Sequence, residues 1–145
     1  MLVYLDNCCF NRPFDDQSQV RVLLETEAKL VVQDRIRSGA LQLAWSYILD
    51  FENDANPFEH RRVSISPWQT LASVDISESN EIIARAQALV GIGFKSKDAL
   101  HISCAIEARC KVFLSTDKGI LSKASLVPEL AIINPVDYDF DDDDD

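Results

Sequence analysis

The stretch "VYLDNCCF", residues 3–10, is a β-branched and aromatic run that stops abruptly at an acid, an amide and two adjacent cysteines. Its apolar character is continuous rather than alternating, the pattern of a strand covered on both faces and hence of a parallel sheet. Working outward, "LQLAW" (41–45), a weaker "TLASV" (70–74), "KVFLS" (111–115) and "AII" (131–133) read as further short strands beside "LVYL" at 2–5.

Helical spacing fills the intervals. Val20, Leu23, Leu24, Ala28 and Val31 form one expected inward stripe, with Asp16 and Gln19 placed as a capping box and Gly39 just past the end. Ile82, Ile83, Ala86, Leu89 and Val90 form a second, stopped by "GIG" at 91–93. A third helix begins at "KSKDALHISCAIEA", with Ser96 as its cap and Ala99, Ile102, Ala105 and Ile106 facing inward. Ser46 is placed to cap "YILDFEND", and Pro57 breaks or bends the chain after it. The expected fold is α/β: a three-layer α/β/α sandwich around a central, mostly parallel five-stranded sheet.

At 145 residues and 47% hydrophobic composition, the chain suits one domain, expected over 1–136. A tail at 137–145, "DYDFDDDDD", carries seven negative charges and reads as a solvated, disordered segment that could mimic a polyanion. Without it the net charge of −10 falls to −3, so the total does not argue against a nucleic-acid substrate. No apolar run reaches the roughly 20 residues of a membrane helix, and no leader pattern opens the chain; a soluble, cytoplasmic protein is expected. Cys8, Cys9, Cys104 and Cys110 lack Cys-x-x-Cys or zinc-finger spacing and read as reduced thiols, mostly packed.

In open parallel sheets, ligands bind beyond the carboxyl ends of the strands. Acids recur there: Asp6 ends the first strand, Asp50 and Glu52 lie early in the helix after the second, Asp98 starts the "KDALH" helix, and Asp117 comes just after "KVFLS". Each has an ordinary explanation alone, as a cap, a turn residue or a favourable charge at a helix start. Gathered at one edge they would repel one another unless a hard divalent cation lay among them. Mg²⁺ or Mn²⁺, with oxygen ligands and retained waters, is the expected cofactor, and phosphodiester hydrolysis its natural chemistry.

The segments "VYLDNCCFNRPFDD", "SYILDFE", "KDALHISCAIEA", "VFLSTDKGI" and "IINP" resemble those of PIN-domain proteins, in particular the toxin ribonucleases of bacterial toxin–antitoxin pairs, over residues 2–135. The resemblance implies a metal-dependent endoribonuclease acting on single-stranded RNA, a cognate antitoxin and a homodimer. Carried onto this chain, it makes Asp6, Glu52, Asp98 and Asp117 the catalytic and metal-binding quartet. Glu52 and Asp50 point about 200° apart on a helix, so only one can face the site. Ser115 matches a supporting hydroxyl position or serves simply as a strand-end or turn-stabilising serine, and Asn7 is a candidate to hold a metal-bound water or to shape a turn. His101, one turn beyond Asp98, reads as a hydrogen-bonded structural or supporting residue.

Arg12, Arg61, Arg62, Lys95, Lys97 and Lys118 could hold phosphates, with Phe14 or Trp68 for stacking. A receiver domain would want an acidic pair after the first strand and a haloacid-dehalogenase-like phosphatase Asp-x-Asp; "LDNCC" supplies neither. The alternative of another class is a PIN-like module that binds RNA or protein without cutting.

Overall fold

The computed structural model describes residues 1–138. In chain order these form β1 (Leu2–Leu5), α1 (Asn7–Asn11), a 3-10 turn (Arg12–Phe14), α2 (Val20–Ser38), β2 (Gln42–Ser46), α3 (Tyr47–Asp54), α4 (Glu59–Ile65) and α5 (Trp68–Leu71). Next come β3 (Val74–Ile76), α6 (Asn80–Gly91), α7 (Ser96–Glu107), β4 (Val112–Leu114), α8 (Lys118–Leu121), a 3-10 turn (Ala124–Leu126), β5 (Ala131–Ile133) and a last 3-10 turn (Pro135–Asp137). The expected tail lies outside the described residues from 139 onward; Tyr138 is buried, its hydroxyl donating to Met1 Sδ at 3.6 Å.

The five strands pair in parallel throughout, in the order β3-β2-β1-β4-β5, with helices on both faces: a PIN-like α/β/α sandwich. Val3, Tyr4 and Leu5 of β1 are fully buried, as a central strand covered on both faces requires. Tyr4 sits opposite Phe113 of β4, the two rings stacked with centroids 5.2 Å apart. The chain first winds from β1 outward to β3, then returns to lay β4 on the other side of β1. That reversal puts a crevice at the carboxyl ends of β1 and β4, the place where open α/β sheets bind ligands.

Several local expectations are corrected. The third strand is Val74–Ile76, not 70–74, because Trp68–Leu71 coils into a short helix: Pro67 precedes it, Trp68 is buried, and Thr70 Oγ1 donates to the Pro67 carbonyl at 2.7 Å. The Asp16–Gln19 capping box does not form; Asp16 instead accepts from the Ser18 N–H at 3.0 Å, and Gln19 makes no capping bond. Lys95, not Ser96, occupies the cap position of α7. Ser46 does cap α3, accepting from the Leu49 N–H at 3.4 Å, and Gly39 closes α2 with a left-handed φ of 85° that suits glycine. No described helix is long and apolar enough to cross a membrane. The four cysteines are free thiols, and burial pushes Cys104 and Cys110 up to about 12, as befits unreactive core groups.

The largest departure is the rotation of α2. Val20, Leu23, Leu24 and Val31, expected inward, are exposed, while Val22, Glu25, Thr26, Lys29, Val32, Gln33 and Ile36 are buried. Charge pairing explains the choice. Glu25 Oε1 accepts from Arg12 Nε at 3.0 Å and Nη2 at 2.7 Å, and Oε2 accepts from Asn134 Nδ2 at 2.6 Å. A buried carboxylate satisfied on both oxygens fixes the helix face, since breaking such a pair would strand a charge in the core.

Lys29, on the same face, has no carboxylate partner among the described residues; its Nζ lies 5.6 Å from the centre of the Phe10 ring. Burial pushes its pKa down to about 8 from 10.5, with Arg37 adding to the effect and Cys9 opposing it. A base with a lowered folded pKa binds fewer protons folded than unfolded. Its burial is therefore destabilising below pH 8, and the penalty is relieved as pH rises from about 8 to 10.5. We expect Lys29→Met to be more stable than wild type by about 1–3 kcal/mol at pH 7. In urea titrations at a series of pH values this difference should shrink between pH 8 and 10.5; a pH-independent difference would contradict the assignment.

Candidate active site at the switch point of the sheet

Asp6 leaves the end of β1 as the N-cap of α1, so its carboxylate is fixed by local geometry before any distant residue arrives. Oδ1 accepts from the Asn7 N–H at 2.8 Å. Oδ2 accepts from the Ser115 hydroxyl at 2.9 Å and from the Cys8 thiol at 3.4 Å. Ser115, just past β4, in turn accepts from the Asp117 N–H at 3.0 Å. One hydroxyl thereby ties the first acid to the segment carrying the last. Asp117 caps α8, its Oδ1 accepting from the N–H groups of Gly119 at 2.7 Å and Ile120 at 3.3 Å.

Glu52 and Asp50 separate as helical geometry demands. Asp50 accepts from Trp45 Nε1 at 2.8 Å and does not line the crevice, whereas Glu52 does. Glu52 Oε2 accepts from Asn7 Nδ2 at 2.9 Å, and Oε1 is bonded to His101 Nε2. Against the effect of burial, His101, Lys97 and Asn7 hold the Glu52 carboxyl below its usual range. His101 is buried on α7, its Nδ1 2.6 Å from the Tyr4 hydroxyl, which is itself 2.7 Å from Ser46 Oγ. Burial alone would lower the His101 pKa, yet Glu52, Asp6 and Asp98 together raise it. A buried chain Ser46–Tyr4–His101–Glu52–Asn7 thus runs from the core to the crevice. Tyr4 is not among the residues expected at the site; its signal in the sequence is a phenol in an otherwise apolar central strand, where a buried hydroxyl needs a partner.

Asp98 projects from the first turn of α7 into the same crevice. Its side chain makes no hydrogen bond or ion pair among the described residues, unlike the other three acids. Burial, then the charges of Asp6 and Asp117, raise its pKa to about 6, with His101 and Lys95 partly offsetting them. The crevice, about 330 Å³, is lined by Asp6, Asn7, Glu52, Asp98 and Asp117 together with Asn11, Asp15, Lys97 and Cys8. Of the expected cations and rings, Lys97 reaches it, Arg12 and Arg61 are engaged by Asp15, and Trp68 is buried away in the core.

Among the described residues no three carboxylate, imidazole or thiol groups stand at direct ligating distances for one ion. The donor set nonetheless suits a hard cation that keeps part of its water shell. The acids supply oxygen, Asp98 lacks a hydrogen-bond donor, and burial and the charges of Asp6 and Asp117 raise its pKa by more than His101 and Lys95 lower it.

Neither a protein-family profile nor a curated protein sequence matches the chain. Solved structures do. VapBC2 from Rickettsia felis bound to a DNA fragment from their promoter matches with a TM-score of 0.61 and 12% identity over 92% of this chain and 98% of that one. FitAcB from Neisseria gonorrhoeae matches with a TM-score of 0.62 and 13% identity over 94% and 99%. At such identity the likeness shows the fold alone.

These findings correct the family named from the sequence. The neighbours share the fold at 12–13% identity, no family profile supports the toxin ribonucleases, and the chain is not assigned to them. The physical reason is that "LDNCC", "KDALH" and "STD" place acids at strand ends and in a helix's first turn. A parallel α/β sheet favours polar residues at those positions whatever the family.

Proposed function

We propose that the chain is a divalent-metal-dependent hydrolase of phosphodiester bonds in single-stranded RNA, working beside a protein partner of the toxin–antitoxin kind. The observation that carries this reading is the crevice itself, which Asp6, Glu52, Asp98 and Asp117 line together, with Asp98 facing it without a hydrogen-bond donor among the described residues. A module that merely bound RNA would gain nothing from four acids facing the phosphates; a site that takes a cation first has a use for them.

Asp6, Glu52, Asp98 and Asp117 would hold Mg²⁺ or Mn²⁺, which when bound supplies a water-derived nucleophile and stabilises charge on the phosphodiester. The chain's own residues prepare the site. Ser115 Oγ–H and the Asn7 N–H orient Asp6, and Asn7 Nδ2 and His101 orient Glu52. Asp117 is steadied by the amides of α8. With Asp6 and Glu52 already oriented, little side-chain freedom remains to be lost when substrate arrives. For the partner, the exposed ridge of Val20, Leu23, Leu24, Leu30 and Val31 along α2 is apolar surface that a second protein could cover.

The experiment is cleavage of an end-labelled single-stranded RNA by the purified chain with Mn²⁺, beside a chelator control and Glu52→Gln. Product in the first reaction only is the expected result. Equal product in all three, or none in any, would overturn the reading.

A further inference from the structure

Next to the acidic crevice, and sharing Asn7, Asn11, Glu52 and Lys97 with it, lies a second cleft of about 320 Å³. Its wall carries the aromatic side chain of Phe58. Phe58, between α3 and α4, is 51% exposed, and Phe51, one residue before Glu52, is 57% exposed. Each ring has a cation beside it. Arg61 Cζ is 4.7 Å from the centre of the Phe58 ring, and Lys97 Nζ is 5.7 Å from that of Phe51.

Neither ring completes a core, and the segment holding Phe58 is preorganised. Asn56 Oδ1 accepts from the Phe58 N–H at 3.1 Å, and Asn56 Nδ2 donates to Asn11 Oδ1 at 3.0 Å. Arg61 is anchored by Asp15 Oδ1 at 3.2 Å and by the Phe14 carbonyl at 2.9 Å, so it braces the ring rather than reaching for ligand. Lys97, exposed at the border of the two clefts, makes no ion pair at salt-bridge distance among the described residues and is placed to meet a phosphate. An exposed ring in the cleft beside the acidic crevice, with a lysine between, matches how single strands are held: bases stack while the backbone is neutralised. A duplex keeps its bases stacked on one another and offers no free face.

We propose that Phe58, braced by Arg61, is a nucleobase-stacking subsite of the acidic crevice, with Phe51 and Lys97 guiding the strand between them. The inference rests on the reading of that crevice as an RNA-hydrolysing site and adds how a single strand is selected.

The test is fluorescence anisotropy of a labelled single-stranded RNA with the full chain, using calcium in place of magnesium so that binding is read apart from cleavage. The chains compared are wild type, Phe58→Ala, Phe58→Trp and Lys97→Gln, each with a circular-dichroism melt, and duplex RNA of the same sequence is the control. Phe58→Ala should weaken binding by about 5- to 150-fold, the range of one stacked base. Phe58→Trp should restore it, Lys97→Gln should flatten the salt dependence by about 0.7 in slope, and duplex should bind less well than single strand. An unchanged Kd in Phe58→Ala, or no measurable binding by wild type, would overturn the subsite. Phe58-dependent binding without Mn²⁺-dependent cleavage would overturn the hydrolase reading and leave the subsite standing.

Discussion

Asp98→Asn should abolish RNA cleavage, lowering the rate by at least about 100-fold at saturating Mn²⁺, the upper end of what losing a group one shell further from a metal costs. The same substitution should make the metal-free protein more stable. Asp98 has a folded pKa of about 6 against an ordinary 3.8, so the folded state binds more protons than the unfolded between those values. Stability is then lost as pH rises from about 4 to 6, and at pH 7 the ionised carboxylate works against folding through burial and the charges of Asp6 and Asp117. Asparagine removes that penalty. Thermal melts in chelator should therefore show a higher midpoint for the variant at pH 7 and a smaller difference near pH 4. Added Mn²⁺ should raise the wild-type midpoint more than the variant's. A variant that cleaves like wild type, or melts lower at pH 7, would remove Asp98 from the site. Gain of stability with loss of activity is the signature of a residue kept for function.

The second large effect is expected at His101. Alanine there removes one of the two partners of the Tyr4 hydroxyl and the group bonded to Glu52 Oε1 in one change, and leaves Glu52 and Asp6 without the nearest imidazole. The two lost bonds, one of them to a carboxylate, together cost about 2–4 kcal/mol, whereas Tyr4→Phe, which keeps the ring stacked on Phe113, should cost about 1–3 kcal/mol for the unpaired imidazole nitrogen. Urea unfolding of the two single variants and the double variant measures their coupling. Additive losses would mean that the buried chain from Ser46 to Glu52 does not act as a unit. His101→Gln, which can keep one bond to Glu52, should recover more cleavage activity than alanine if the imidazole positions that carboxylate.

Much of the frame was legible in the order of residues. β1 and β5 fall where continuous apolar runs placed them, Ser46 caps α3, and Asp6, Asp98 and Asp117 stand around one crevice as strand-end positions suggested, joined by Glu52 of the Asp50–Glu52 pair. Local signals suffice here because strand burial, N-caps and the strand-end rule depend on a few adjacent residues and on sheet connectivity. The weak third strand misled because "TLASV" has too little apolar character to compete with Pro67 and a buried Trp68 for a helical turn.

The rotation of α2 was beyond any periodicity argument. Its sequence carries an apolar stripe and a mixed one, and a periodic pattern ranks faces only by hydrophobicity. What turned the mixed face inward was Glu25, whose partners Arg12 and Asn134 come from 13 and 109 residues away. The choice of Glu52 over Asp50 has the same origin: Asn7, His101 and Trp45 claim the two carboxylates from separate elements.

The sequence by itself determined the parallel α/β frame and the delivery of acids to one edge, because apolar continuity and strand ends are local properties. Only the tertiary structure decided which helix face is buried, which acids face the crevice, and that Phe58 stands exposed beside it. Those outcomes depend on pairing charges and hydrogen-bond partners that meet only when the chain has folded.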